Sequence, residues 1–257
     1  MILGIVQARM SSTRLPGKVM LPLLGCPMLE HQLERLLRCK RIDQLLVATS
    51  NQSDDLPIVD LCRHLGVMCF QGDLADVLDR FYQASQQYPT QHIVRLTADC
   101  PLCDPELIDG LIEFYLNGHF DYASTALEPT FPDGLDAEIF RAELLKLAWQ
   151  EADLPSQREH VTSFFYQQNQ RFCLGSYTDK IDRSAMRWTV DDADDFEFVT
   201  QIYKKLYPVK SDFNRHDIVD LLNREPELSQ INCAKTRNQG YLKSLELDKL
   251  TTKTETH

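Results

Sequence analysis

"MILGIVQARMSSTRLPGKVM", residues 1–20, joins an apolar run to a loop rich in cations. Residues 2–6, "ILGIV", are short and β-prone, and after Gln7 the chain holds Arg9, Arg14 and Lys18 among a Ser-Ser-Thr run, a proline and a glycine. A strand that ends in such a loop is the opening unit of an open α/β sheet, and ligands bind in the crevice beyond the carboxyl ends of those strands. Two phosphate-binding templates fail here. No G-x-G-x-x-G follows the strand, and Gly17-Lys18 is followed by Val19 with no glycine at the spacing a P-loop needs. What remains is a loop whose guanidinium forks, ammonium and backbone amides, turned inward at Gly17, suit a polyphosphate. A solvated basic loop is the alternative.

Outward from this unit the same grammar repeats. The runs "QLLVAT", "VMCF" and "HIVRLT" alternate with the amphipathic stretches "MLEHQLERLLR", "LPIVDLCRHLG" and "ADVLDRFYQASQQY". This is the pattern of a doubly wound α/β fold, a mostly parallel sheet with helices on both faces. Further on, Asp104 and Pro105 open a helix that ends near Gly118, and Ser156 with Glu159 has capping-box spacing in "PSQREHVTSFFYQQ". "FPDGLDAEIF" reads as a turn and a short strand, "FCLGSY" and "MRWTV" as strands, "DADDFEFVTQIYKKLY" and "RHDIVDLLNREP" as helices. No repeat or linker divides the chain. We expect one domain over residues 1–245 and a flexible tail over 246–257, where "LTTKTETH" lacks apolar content.

The 257 residues carry a formal charge of −11, which argues against nucleic-acid backbones and anionic membranes as main partners. The first apolar run is too short, and lacks the basic start, for a signal peptide; no later run approaches the roughly 20 apolar residues of a membrane span. We expect a cytoplasmic protein. Its eight cysteines, among them Cys39, Cys62, Cys69 and Cys173, are scattered and read as reduced and mostly buried. Cys100 and Cys103 form a C-x-x-C, but no second pair completes a zinc site and the pair falls in a connecting loop.

Asp99 ends the run "HIVRLT" and should share a sheet edge with the basic loop, where a carboxylate can help hold Mg²⁺ beside substrate phosphates. Asp191 follows "MRWTV" and would complete the pair; Asp192, Asp194 and Asp195 are accounted for as acids at a helix N-terminus. A lone strand-end aspartate is otherwise a turn or cap residue, Glu159 a cap, and His160 a hydrogen-bonded, partly buried side chain. No G-x-S-x-G elbow supports covalent catalysis.

"VQARMSSTRLPGKVM" resembles the opening motif of the cytidylyltransferases that activate acidic sugars, the CMP-Kdo and CMP-acylneuraminate synthetase superfamily. "DVLDRF", "RLTADCPLCDP", "FPDGLDAEIF", "REHVT" and "RWTVDDADDFEFV" follow in an order similar to its spore coat polysaccharide biosynthesis protein F-like group. The resemblance implies a Rossmann-like, GT-A-like nucleotidyltransferase fold, usually dimeric, that transfers CMP from CTP to a sugar with release of pyrophosphate. It further implies that Arg9, Arg14 and Lys18 bind the triphosphate, with Arg14 and Lys18 stabilising charge toward pyrophosphate. Ala8 would lie near the base, Arg80 would reach a phosphate, and Asp99 and Asp191 would hold Mg²⁺. Asp133, Asp136, Glu138, Arg158 and His160 are the candidates for the acceptor side, where an acidic sugar favours Arg158. "ADCP" stands where the CMP-Kdo enzymes have "GDEP", so Cys100 replaces an acid. Two rivals are a nucleotide-sugar glycosyltransferase, for which "TADCP" offers one acid where D-x-D is wanted, and a noncatalytic nucleotide-binding relative, against which Arg14, Lys18, Asp99 and Asp191 all stand.

Overall fold

Leu3 and Ile5 of the first strand pack into the core on one face of a sheet, Ile2 and Val6 into the core on the other, which is why the run is apolar at nearly every position. The computed structural model describes residues 1–233, 235, 237 and 239–254. In chain order the strands are β1 (Ile2–Gln7), β2 (Pro22–Leu23), β3 (Cys26–Pro27), β4 (Gln44–Ser50), β5 (Met68–Gly72), β6 (His92–Thr97), β7 (Tyr122–Ser124), β8 (Glu138–Arg141) and β9 (Leu174–Ser176). The helices are α1 (Met28–Leu36), α2 (Leu56–Leu65), α3 (Val77–Gln86), α4 (Pro105–Gly118), α5 (Ala142–Glu151), α6 (Pro155–His160), α7 (Ser163–Tyr166), α8 (Ala193–Leu206), α9 (Arg215–Arg224) and α10 (Gln239–Thr254).

Seven strands form one sheet in the order β5-β4-β1-β6-β8-β7-β9, and β2 and β3 make a separate hairpin. β5, β4, β1 and β6 are mutually parallel, β8 runs antiparallel to both β6 and β7, and β9 is parallel to β7. The fold is therefore the mostly parallel α/β sheet with helices on both faces that the periodicity predicts. Residues of α1, α2 and α4 fill one face, and residues of α3, α5 and α7 fill the other. A third apolar cluster joins α8 and α9 to the hairpin and Trp188. No helix among the described residues is long and apolar enough to cross a membrane.

Three local expectations are corrected. The helix read across "PSQREHVTSFFYQQ" is broken into α6 and α7: Val161 takes φ 54° and ψ −67°, and the Thr162 amide donates to the His160 carbonyl two residues back, a strained γ-turn. Ser156 does not cap it, since Leu154 occupies the cap position and Pro155 the first turn. "MRWTV" forms no strand; its backbone amides at Trp188, Thr189 and Val190 bond instead to the Asp133 and Asp99 carbonyls. Residues 239–254, which include most of the expected tail, form α10, which packs on α6 with Asp248 accepting from the Ser156 amide at 3.0 Å; residues 255–257 lie outside the described residues. Of the cysteines, all free, Cys39, Cys62, Cys100 and Cys103 are buried, but Cys173 is exposed.

Candidate active site

The cation loop leaves β1 at the carboxyl edge of the sheet and folds on itself, the Met10 carbonyl accepting from both Ser12 and Gly17 amides at 2.8 Å. Gly17 sits at φ 70°, a left-handed conformation that glycine adopts without penalty, and it starts the short turn that buries Lys18. The Lys18 ammonium donates to the Val190 carbonyl at 2.7 Å and lies 3.1 Å from Asp191 and 3.3 Å from Asp99. Arg14 joins the same group through Asp191 at 2.9 Å. Burial would lower the Lys18 pKa, but Asp99 and Asp191 outweigh it and raise it. Burial would likewise raise Asp99, yet Lys18 and hydrogen bonds from Thr97 and Cys100 hold it down at about 2. Both groups are charged at neutral pH.

Asp191 is also held by Arg187, a residue the sequence reading passed over. Its buried guanidinium reaches Asp133 at 2.7 Å, Asp191 at 2.8 Å and Asp195 at 2.9 and 3.0 Å. Asp195 is more than a helix-end acid: it accepts from the Asp191 amide, from Arg187 and from Asn232. Opposite, Gly134 has φ 107°, and a Cβ there would lie 2.4 Å from the Thr189 nitrogen, so only glycine lets the 133–136 loop close on this segment. Asp136 pairs with Arg237, a second unforeseen arginine. Burial, opposed only in part by Arg237, pushes the Asp136 carboxyl up to about 7.

A different cation pair stands apart from these acids. Arg80, fully buried on α3, gives one bond to the Asp73 carbonyl at 2.7 Å, and its Nε and Nη2 have no hydrogen-bond partner. Arg9 has no hydrogen-bond or ion-pair partner among the described residues, and burial together with the Arg9 charge lowers the Arg80 pKa to about 10. The loop is pinned beside them by buried Asp55, which accepts from the Met10 amide at 2.7 Å and from Ser50 and Thr49. Ala8 is buried and its amide is used by the Ala48 carbonyl at 3.2 Å.

The acceptor-side candidates separate. Asp133 is tied to Asp191 through Arg187, and Asp136 is paired with Arg237, which also lies near Asp133. Glu138 is enclosed by Arg95, by the Tyr122 hydroxyl at 2.6 Å and by Thr162, whose position the γ-turn sets. Arg158 is committed elsewhere, to Asp76 and the Trp149 carbonyl, and His160 sits 3.0 Å from the Ser244 hydroxyl. Burial, then the charge of Arg95, lowers the His160 pKa. Cys100 and Cys103 stay thiols, burial raising both pKa values, Cys103 to about 12.

Among the described residues no cluster of three or more His, Cys, Asp or Glu side chains could hold a metal. The donor set nevertheless fits Mg²⁺, which is commonly held by one or two carboxylates completed by substrate phosphates. Lys18 demonstrates that one cation can meet Asp99 and Asp191 together, at 3.3 and 3.1 Å.

A mostly parallel sheet whose carboxyl edge carries Asp99, with Asp191 brought beside it, a folded cation loop and the buried Arg80 next to half-buried Arg9 is the arrangement of a nucleotidyltransferase-type α/β protein. Residues 3–218 match the cytidylyltransferase family, and the chain belongs to that family of CTP-dependent nucleotidyltransferases. An uncharacterized protein of Methanocaldococcus jannaschii is 39% identical over 242 residues, 93% of this chain and 97% of its own length. Spore coat polysaccharide biosynthesis protein SpsF of Bacillus subtilis is 32% identical over 242 residues, 88% of this chain and 95% of its own. The solved structure of a cytidylyltransferase from Leptospira borgpetersenii superposes with TM-score 0.85 at 30% identity, over 91% of this chain and 98% of that one.

Proposed function

We propose that the chain transfers CMP from CTP to a hydroxyl of an acidic sugar and releases pyrophosphate, as a step in surface or coat polysaccharide biosynthesis. The observation that carries this reading is Arg80: a buried guanidinium with two unbonded nitrogens and a second guanidinium, Arg9, as its electrostatic neighbour. A polyanion relieves both the missing bonds and the repulsion. A small neutral ligand can accept the bonds but leaves the repulsion.

In this scheme Arg9 and Arg80 bind triphosphate oxygens, the backbone at Ala8 borders the base, and Arg14 and Lys18 turn from their carboxylates toward charge developing on the leaving pyrophosphate. The acceptor hydroxyl oxygen attacks the α-phosphorus in line and gives its proton to water; the new O–P bond forms as the bond to the bridging oxygen breaks, its electron pair leaving with pyrophosphate. Positioning and charge neutralisation supply most of the catalysis in such a transfer. Mg²⁺ held by Asp99 and Asp191 would polarise the phosphoryl oxygens when bound. Asp133, Asp136 and Glu138 form the acceptor side, and the enzyme acts as a cytoplasmic homodimer. The test is pyrophosphate release from CTP with a panel of acidic sugars. Lys18→Ala should lower kcat by on the order of 10²–10³, the range seen when one preorganised donor is lost. Equal turnover with UTP, or an unimpaired Lys18→Ala enzyme, contradicts the reading.

A further inference from the structure

The family match ends at residue 218, yet the chain returns to the site after it. Asn232 donates to the Arg187 carbonyl at 3.1 Å and to Asp195 at 3.0 Å, and Lys235 pairs with Asp192. Arg237 then reaches Asp136, the Phe131 carbonyl at 3.2 Å and, through Nε, the neighbourhood of Asp133 at 3.8 Å. Farther along, α10 lies on α6, where Ser244 meets both Glu159 and His160. The C-terminal region thus touches the acceptor-side candidates from two directions.

We propose that Arg237 is a specificity-determining residue that binds the anionic group of the acceptor, an assignment that rests on the acidic-sugar reading above. The other arginines near these groups are committed. Arg158 makes three hydrogen bonds, to Asp76 and the Trp149 carbonyl, Arg187 spends its forks on three carboxylates, and Arg95, although its Nε has no hydrogen-bond partner, is buried between Glu138 and Gln7 within the sheet. Arg237 gives one hydrogen bond to Asp136 and one to a carbonyl among the described residues, and its Nε makes no hydrogen bond, with only the longer 3.8 Å ion pair to Asp133. A guanidinium carries five N–H donors in a fork that matches a carboxylate, so an acidic acceptor can share it with Asp136.

The test uses the full chain, CTP, 3-deoxy-manno-octulosonate and N-acetylneuraminate, the neutral methyl esters of both acids, and the variants Arg237→Ala and Arg237→Lys. Losing a charged hydrogen-bond partner should raise the KM for an acid about 10- to 150-fold. The ester's KM should move by less than about threefold, Arg237→Lys should recover part of the loss, and the melting shift given by CTP should persist. An unchanged KM, equal losses for acid and ester, or a CTP shift lost together with the acceptor overturns the assignment, the last because it marks a merely structural role. Should the wild type turn over the acids while Arg237→Ala is unimpaired, only this assignment falls. Should it turn over neutral sugars alone, or no acid at all, the acidic-sugar reading falls with it.

Discussion

Arg187 shows how much a single side chain organises here: one guanidinium pairs with Asp133, Asp191 and Asp195 at once. Removing one partner from a buried ionic group leaves uncompensated charge, so Arg187→Ala should lose about 3–5 kcal/mol in urea unfolding. A loss below about 1 kcal/mol would show that water reaches the acids freely. Asp136 supplies a prediction in pH. Its folded-state pKa of about 7 lies above the ordinary 3.8, so the folded protein holds a proton there that the unfolded chain releases. The Asp136 contribution is full below pH 3.8 and is lost as pH rises through about 7. Relative to wild type, Asp136→Asn should therefore gain stability steadily across that window in urea midpoints, and a flat difference would contradict the raised pKa. Asp99, held at about 2, works in the opposite sense: its stabilisation is present above pH 3.8 and fades as pH falls toward 2. Neither Arg187 nor Arg237 was legible in the sequence, because their meaning lies in tertiary partners; only the spacing of Arg187 four and eight residues before Asp191 and Asp195 hints at the first.

At the scale of elements, the aspartate caps were legible, whereas the Ser156 cap and the break after it were not. Asp104 accepts from the Leu107 amide at 2.9 Å as its position before Pro105 predicts, and Asp192 with Asp195 closes a capping box on α8. The γ-turn at Val161 leaves no such mark, since a β-branched residue at positive φ is held there by its surroundings and not by propensity. "MRWTV" misled for a related reason: a loop segment buried over residues 187–190 has the composition of a strand, and its amides found partners in the Asp133 and Asp99 carbonyls. The 133–136 turn is the element most exposed to a single change. Gly134→Ala places a Cβ 2.4 Å from the Thr189 nitrogen in a conformation with φ 107°, and should destabilise the protein by about 1–3 kcal/mol while slowing turnover. Wild-type melting and kinetics in that variant would mean the turn relaxes without disturbing the site.

Across the whole molecule, the alternation of short apolar runs and amphipathic helices made the four parallel strands readable, because burial on both faces writes itself into consecutive residues. The antiparallel half was only partly readable: β8 and β9 fall in the runs read as strands, but β7, with three residues, is too short to show a period. The overall charge of −11 and the cation loop are reconciled by geography. Arg14 and Lys18 rest on carboxylates, whereas Arg9 and Arg80 stand without one among their described hydrogen-bond and ion-pair partners. Asp55, Asp73 and Asp76 offset part of the repulsion between that second pair, and an anion would supply the missing hydrogen bonds, the exchange of stability for function that a binding site makes.

Thermal melting of the wild type and Arg80→Met, each with Mg²⁺ and CTP, UTP, ATP or GTP, tests the central claim that this edge of the sheet is a CTP site. CTP at about 100 times its dissociation constant should stabilise the wild type by about 2.7 kcal/mol, the other nucleotides by less. Arg80→Met should melt no lower than the wild type without nucleotide and lose most of the CTP shift. A wild type indifferent to CTP, or an Arg80→Met protein that keeps the full shift, would contradict it.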